Sequence, residues 1–177
     1  MVDWAATRTH AHRGAPADRA RGPYPVVLYS PGAGDPRSMG TTLYDDLASR
    51  GYVVVTLDHT YDAPAVEFPG GRVERMLLPE EFAKVATDPP ALTVLLRKTV
   101  AVRVADTRFL LDALPGALPP DLRGAADLDR VGTYGKSAGG FTALQAMHDD
   151  RRIAAADFDG LRDGPSHRYP EARFFSG

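Results

Sequence analysis

One stretch constrains the fold of this chain more than any other: Val131-Gly132-Thr133-Tyr134-Gly135-Lys136-Ser137-Ala138-Gly139-Gly140. It reads as a short strand, a Gly-x-Ser-x-Gly turn and the start of a helix. The turn is so sharp that its residues need small neighbours, which Gly135, Ala138, Gly139 and Gly140 supply. Ser137 would then stand exposed above a sheet, at the N-terminus of the next helix. There the helix dipole and free backbone N–H groups can stabilise a developing oxyanion. Two other readings compete. Gly135-Lys136-Ser137 looks like the end of a phosphate-binding loop, G-x-x-x-x-G-K-[ST], but its first glycine would fall at Arg130. The plainer alternative is a tight turn with no chemistry.

The rest of the chain supplies the sheet. Val26-Val27-Leu28-Tyr29-Ser30 and Tyr52-Val53-Val54-Val55-Thr56-Leu57 are short apolar runs of the kind buried in a parallel sheet. Between them the pattern predicts a helix capped by Ser38, with Met39, Leu43, Leu47 and Ala48 on one face. Residues 58–90 read as loop-rich, because prolines and glycines break any long element. A helix is predicted over about 92–114, with Val94, Leu95, Val102, Ala105, Phe109, Leu110 and Ala113 as its apolar face. Pro115 to Pro120 reads as a linker, and Asp129 to Tyr134 as the strand before the turn. The helix after it would bury Phe141, Leu144 and Met147, and Ile153 to Phe158 would be a further strand ending at Asp159-Gly160. Strands alternating with helices predict an α/β fold: a mostly parallel sheet with helices on both faces. Residues 1–24 form a lead-in and 25–177 the domain.

Composition narrows the function. Hydrophobic residues are 44% and charged residues 25%, ordinary for a globular protein. A net charge of −2 argues against a nucleic-acid or anionic-membrane surface. With no cysteine there is no disulfide framework, thiolate nucleophile or cysteine metal site. No apolar run approaches the roughly 20 residues that span a bilayer. Met1-Val2-Asp3-Trp4 lacks the features of a signal peptide. That predicts a cytoplasmic protein if residue 1 is the natural start, or a secreted one if a leader precedes it.

Sites in parallel sheets gather at the C-terminal ends of the strands. Four candidates fall there: the Gly32 to Gly34 turn, Asp58-His59, Ser137 and Asp159. Gly32 and Gly34 do not complete a dinucleotide-binding G-x-G-x-x-G, because the third position is Arg37. Lys136 would face solvent or pair with a carboxylate. Arg103 and Asp106 have the spacing of an i, i+3 ion pair, on the surface or packing the helix. His10, His12 and His148 read as surface histidines.

Together, Tyr24 to Gly34, Gly51 to His59, Gly135 to Gly140 and Ala156 to Gly160 resemble the α/β-hydrolase superfamily. Within it the chain is most similar to the platelet-activating-factor acetylhydrolase and bacterial lipase/esterase group. The resemblance implies a serine hydrolase acting on carboxylic esters through an acyl-serine intermediate, with no metal or organic cofactor. It implies Ser137 as nucleophile and Asp159 as the acid that orients a catalytic histidine. The backbone N–H groups of Ala33 and Ala138 would form the oxyanion hole. His59 would be a hydrogen-bonding support residue rather than the base.

The resemblance also implies a histidine after further strands, in the chain order Ser, Asp, His. After Asp159 there is only His167, whose spacing departs from the family's. The chain therefore reads as the nucleophile half of such an enzyme, with the C-terminal strands and their histidine lying beyond Gly177. The alternative is a catalytically inactive α/β-hydrolase domain used for binding, and a nucleotide-binding α/β domain is a third reading. Acyl and leaving groups, lid and oligomeric state are not legible.

Overall fold

A computed structural model of the chain describes residues 9–159. The elements in order are β1 (Tyr24–Ser30), α1 (Thr41–Ser49), β2 (Val53–Thr56), β3 (Ala65–Glu67), β4 (Val73–Arg75), α2 (Leu78–Val85), α3 (Pro89–Ala117), β5 (Ala126–Lys136), α4 (Ala138–Asp149) and β6 (Ile153–Asp159). Four strands form one sheet in the order β2-β1-β5-β6, and every neighbouring pair is parallel. Parallel neighbours require crossover connections, and right-handed crossovers place α1 on one face and α3 and α4 on the other. The main core lies under α3 and α4, where Val26, Leu28, Val131 and Ile153 meet Val104, Leu111, Leu114 and Ala146. On the opposite face Tyr29 packs edge-on against Tyr44 of α1 and stacks on Tyr134. The α/β class with covered faces is as the sequence predicts. Among the described residues no helix is long and apolar enough to cross a membrane.

Several local expectations are corrected. Ser38 does not cap α1: it lies inside a 3-10 turn, Arg37–Gly40, and Gly40 takes the cap position without a side-chain bond. Residues 58–90 are not all loop, since they hold the antiparallel β3–β4 hairpin and α2. The Pro89-Pro90 pair starts α3 rather than breaking it. Proline is tolerated in the first turn, where its missing N–H has no intrahelical acceptor anyway. Asp88 caps that end by accepting the N–H of Ala91 at 3.0 Å. At the other end α3 runs through Pro115, residues read as linker.

The buried faces of both long helices also differ from the apolar patterns. In α3 the buried residues are Arg103, Val104, Thr107, Leu111 and Leu114, whereas Val94, Val102 and Phe109 are exposed. The true inner face includes an arginine and a threonine, so a count of apolar residues selects its neighbour. In α4 the buried residues are Gly139, Gly140, Thr142, Ala143 and Ala146, and Phe141 is 55% exposed. This helix lies so close to the sheet that only small side chains fit beneath it.

Candidate active site

The strand order reverses between β1 and β5: the chain steps outward from β1 to β2, then returns past β1 to β5 and on to β6. A crevice opens at the C-terminal ends of the strands where such an order reverses. The Ser30–Gly34 segment leaves β1 there, and Lys136-Ser137 leaves β5 beside it, with Ser30 opposite Gly135 in register. Strand β6 brings Asp159 to the same end of the sheet, opposite Lys136.

Ser137 occupies a backbone conformation that L-residues rarely adopt, φ 50° and ψ −118°. Such a conformation costs of order 1–3 kcal/mol and persists only where the surroundings over-determine it. Here the cause is close approach. A Cβ on Gly135 would lie 2.1 Å from the Gly139 carbonyl, one on Gly139 would lie 1.9 Å from the Ser30 carbonyl oxygen, and one on Gly140 would lie 1.5 Å from the Phe158 ring. The strand, the helix and the β1 loop therefore meet backbone to backbone. The chain can turn from β5 into α4 only through a strained residue, and that residue is Ser137.

Ser137, Ala138 and Ala33 line one open cleft of about 840 Å³ between α3 and α4, walled by Phe82, Leu96, Val100, Val104 and Phe141. Ala138 is the first residue of α4, so its N–H has no intrahelical acceptor. Among the described residues the N–H of Ala33 also has no acceptor, whereas backbone groups on either side of it are engaged. Gly34 N–H donates to Asp62 Oδ1 at 3.0 Å, Asp35 N–H donates to the Gly32 carbonyl at 3.1 Å, and the Pro31 carbonyl accepts from Arg103 at 2.7 Å.

Beneath this loop lies a buried polar network. Arg103, 1% exposed, pairs through Nε with Asp62 Oδ2 at 2.7 Å and donates to the Pro31 and Gly32 carbonyls. His59, equally buried, bonds Ser30 Oγ through Nε2 and Asp106 Oδ2 through Nδ1, each at 2.8 Å. Burial pushes the His59 pKa below its ordinary value, against the hydrogen bond it donates to Asp106, and the Arg103 charge acts the same way as burial. The imidazole is therefore neutral at pH 7.

Comparisons with known proteins find acetylhydrolases and esterases. The family profile described as "Platelet-activating factor acetylhydrolase, isoform II" matches residues 3–68. A "Probable 1-alkyl-2-acetylglycerophosphocholine esterase" from Arthroderma benhamiae is 31% identical over 137 residues, 77% of this chain and 31% of the relative. A "Platelet-activating factor acetylhydrolase" from Cavia porcellus is 28% identical over 152 residues, 73% of this chain and 33% of the relative. Among solved structures, a ferulic acid esterase from Streptomyces cinnamoneus superposes with a TM-score of 0.60 at 45% identity, covering 77% of this chain and 36% of the esterase. The chain has an α/β-hydrolase fold. Within it, the chain resembles the acetylhydrolase and esterase group, and spans about a third of the length of the curated relatives it matches.

In this hydrolase fold the sequence candidates divide. Ser137, Ala138 and Ala33 come together in one cleft. Asp159 reaches the same end of the sheet by its backbone, and His167 lies outside the described residues. His59 is a support residue, as expected. Lys136 pairs with Asp35 at 3.2 Å, one of its two anticipated roles. Arg103 and Asp106 do not pair with each other: Arg103 turns inward to Asp62, and Asp106 bonds His59. Both partnerships span more than 40 residues of chain, 41 and 47, which no i, i+3 rule can see. Asp62 was missed. The available signal was that a buried arginine needs a buried counter-charge, and Asp62 lies in the same loop as His59. His10, His12 and His148 are exposed.

Proposed function

We propose that this domain provides the nucleophile of a serine hydrolase acting on carboxylic esters. The observation that carries the proposal is the strained Ser137 at the first turn of α4, sharing one cleft with the unengaged N–H groups of Ala33 and Ala138. Strain of this kind lifts a hydroxyl clear of the sheet and aims it into the cleft.

In the proposed reaction Ser137 Oγ attacks the ester carbonyl carbon while a base takes its proton. The carbonyl π electrons move to oxygen, and the N–H groups of Ala33 and Ala138 receive that oxyanion. The tetrahedral species collapses, the C–O bond to the alcohol breaks, and the alcohol leaves with the proton from the base. Water then repeats the sequence on the acyl-serine and releases the acid. Asp159, at the end of the adjacent strand, is the carboxylate that orients the base. That base is a histidine outside the described residues: among them no histidine lines the cleft, and both ring nitrogens of His59 are engaged. The apolar walls suit an acyl chain of short or moderate length. The names of the relatives, an acetylglycerophosphocholine esterase and a ferulic acid esterase, support ester chemistry.

Hydrolysis of p-nitrophenyl acetate by the 177-residue protein, with Ser137→Ala beside it, tests the reading. Turnover lost in the variant supports it, and turnover unchanged in the variant overturns it. That no histidine among the described residues lines the cleft favours a second reading, a catalytically inactive binding domain. A folded protein with no turnover and an unreactive Ser137 would favour that one.

A further inference from the structure

The buried pair Arg103–Asp62 has no place in the reaction just described, yet it lies directly beneath the loop that carries Ala33. A guanidinium with 1% exposure must be paired and its remaining donors satisfied. Arg103 meets that demand with the loop that carries Ala33. Its Nε binds Asp62, one terminal nitrogen binds the Pro31 carbonyl at 2.7 Å, and the other binds the Gly32 carbonyl at 3.2 Å. The remaining oxygen of Asp62 takes the Gly34 N–H. The two side chains thus hold the backbone on both sides of Ala33 and leave the Ala33 N–H unengaged beside Ser137.

We infer that Arg103 and Asp62 are positioning residues for the oxyanion hole: they fix the Pro31–Gly34 loop so that the Ala33 N–H is in place before substrate arrives. The inference rests on the serine-hydrolase reading and deepens it. Three features favour it over a purely structural role. The pair clamps backbone groups of one loop rather than joining two helices. Arg103 sits on α3, a rigid element, so the loop is referenced to the scaffold. Gly34, at φ 78°, turns the chain so that its N–H points down to Asp62. A second tether, His59 to Ser30 Oγ at 2.8 Å, holds the start of the same loop.

The test uses Arg103→Lys and Asp62→Asn in the 177-residue protein. Arg103→Met would leave the Asp62 charge buried and alone, which is strongly destabilising. Lysine keeps the charge but lacks the planar fork that spans two carbonyls. Asparagine keeps an acceptor for Gly34 and loses the charge. The readouts are kcat and KM for p-nitrophenyl acetate per titrated Ser137, inhibition by a boronic acid that mimics the tetrahedral oxyanion, and the thermal midpoint. The expected result for Arg103→Lys is a kcat lower by roughly 10²-fold, the scale of one lost oxyanion contact. KM stays within two-fold, boronate affinity falls in parallel with kcat, and the protein remains folded. Asp62→Asn, which keeps the Gly34 contact, falls less. An unchanged kcat in folded, titrated Arg103→Lys, with Ser137→Ala still inactive, overturns this inference alone. Activity that survives Ser137→Ala, or a folded parent with no turnover whose Ser137 does not react with a fluorophosphonate, overturns the serine-hydrolase reading and this inference with it.

Discussion

Ser137 is held at φ 50° by neighbours that have no side chains to yield, and this makes its energetics testable apart from its chemistry. Glycine reaches positive φ without a Cβ penalty, and alanine does not. Ser137→Gly is therefore expected to be more stable than Ser137→Ala by about 1 kcal/mol in urea denaturation. Gly139→Ala should be destabilised by at least about 1–3 kcal/mol, because the new Cβ would meet the Ser30 carbonyl, which belongs to the core strand β1. His59 predicts a pH dependence. Burial lowers its pKa in the fold, so the unfolded chain binds a proton that the folded chain resists. Its stabilising contribution is complete above its unfolded value of about 6.5 and is lost progressively as pH falls below it. Asp106, Asp62 and Arg103 face it, and the carboxylates oppose the shift without reversing it. Denaturation midpoints should fall between pH 7 and pH 5, and the fall should be shallower in His59→Gln.

At the level of elements, α3 separates what the sequence shows from what it hides. Its existence follows from apolar periodicity, but its orientation does not, because the face it buries contains Arg103 and Thr107. Those residues face inward since the loop after β1 supplies carbonyl acceptors, a tertiary fact with no local signature. Leu111→Ala and Leu114→Ala should each cost about 2–5 kcal/mol, whereas Phe109→Ser, 73% exposed, should change stability by less than about 0.5 kcal/mol. Equal losses at all three would contradict the face described. The same reasoning explains α4, where Phe141 invited burial but the close helix–sheet approach admits only the small residues Gly139, Gly140, Thr142, Ala143 and Ala146. Strands β1 and β2 were legible because continuous apolar β-branched runs have few alternatives in an α/β chain, and β5 and β6 because one leads into the Gly-x-Ser-x-Gly turn and the other follows its helix. The hairpin and α2 were not, since proline and glycine mark turns and helix starts as readily as loops.

For the molecule as a whole, the reversal of strand order between β1 and β5 sets where a ligand can sit, and the residues there set which kind. Nucleotide-binding sheets use the same crevice but line it with a glycine-rich phosphate cradle. Here the β5 turn carries a strained serine, and the position where a phosphate loop needs its first glycine is Arg130. Neither NAD nor ATP is expected to raise the thermal midpoint, and a clear rise with either would count against the account. The site was legible as letters at Ser137, Ala138 and Ala33. The frame that holds Ala33 was not, because Arg103, Asp62 and His59 come together only through the fold. The most direct test of the account is reaction of the folded protein with a fluorophosphonate, read by intact mass and peptide mapping. The account predicts one adduct, on Ser137, absent from Ser137→Ala. No adduct on the folded protein, or the same adduct in the variant, would contradict it.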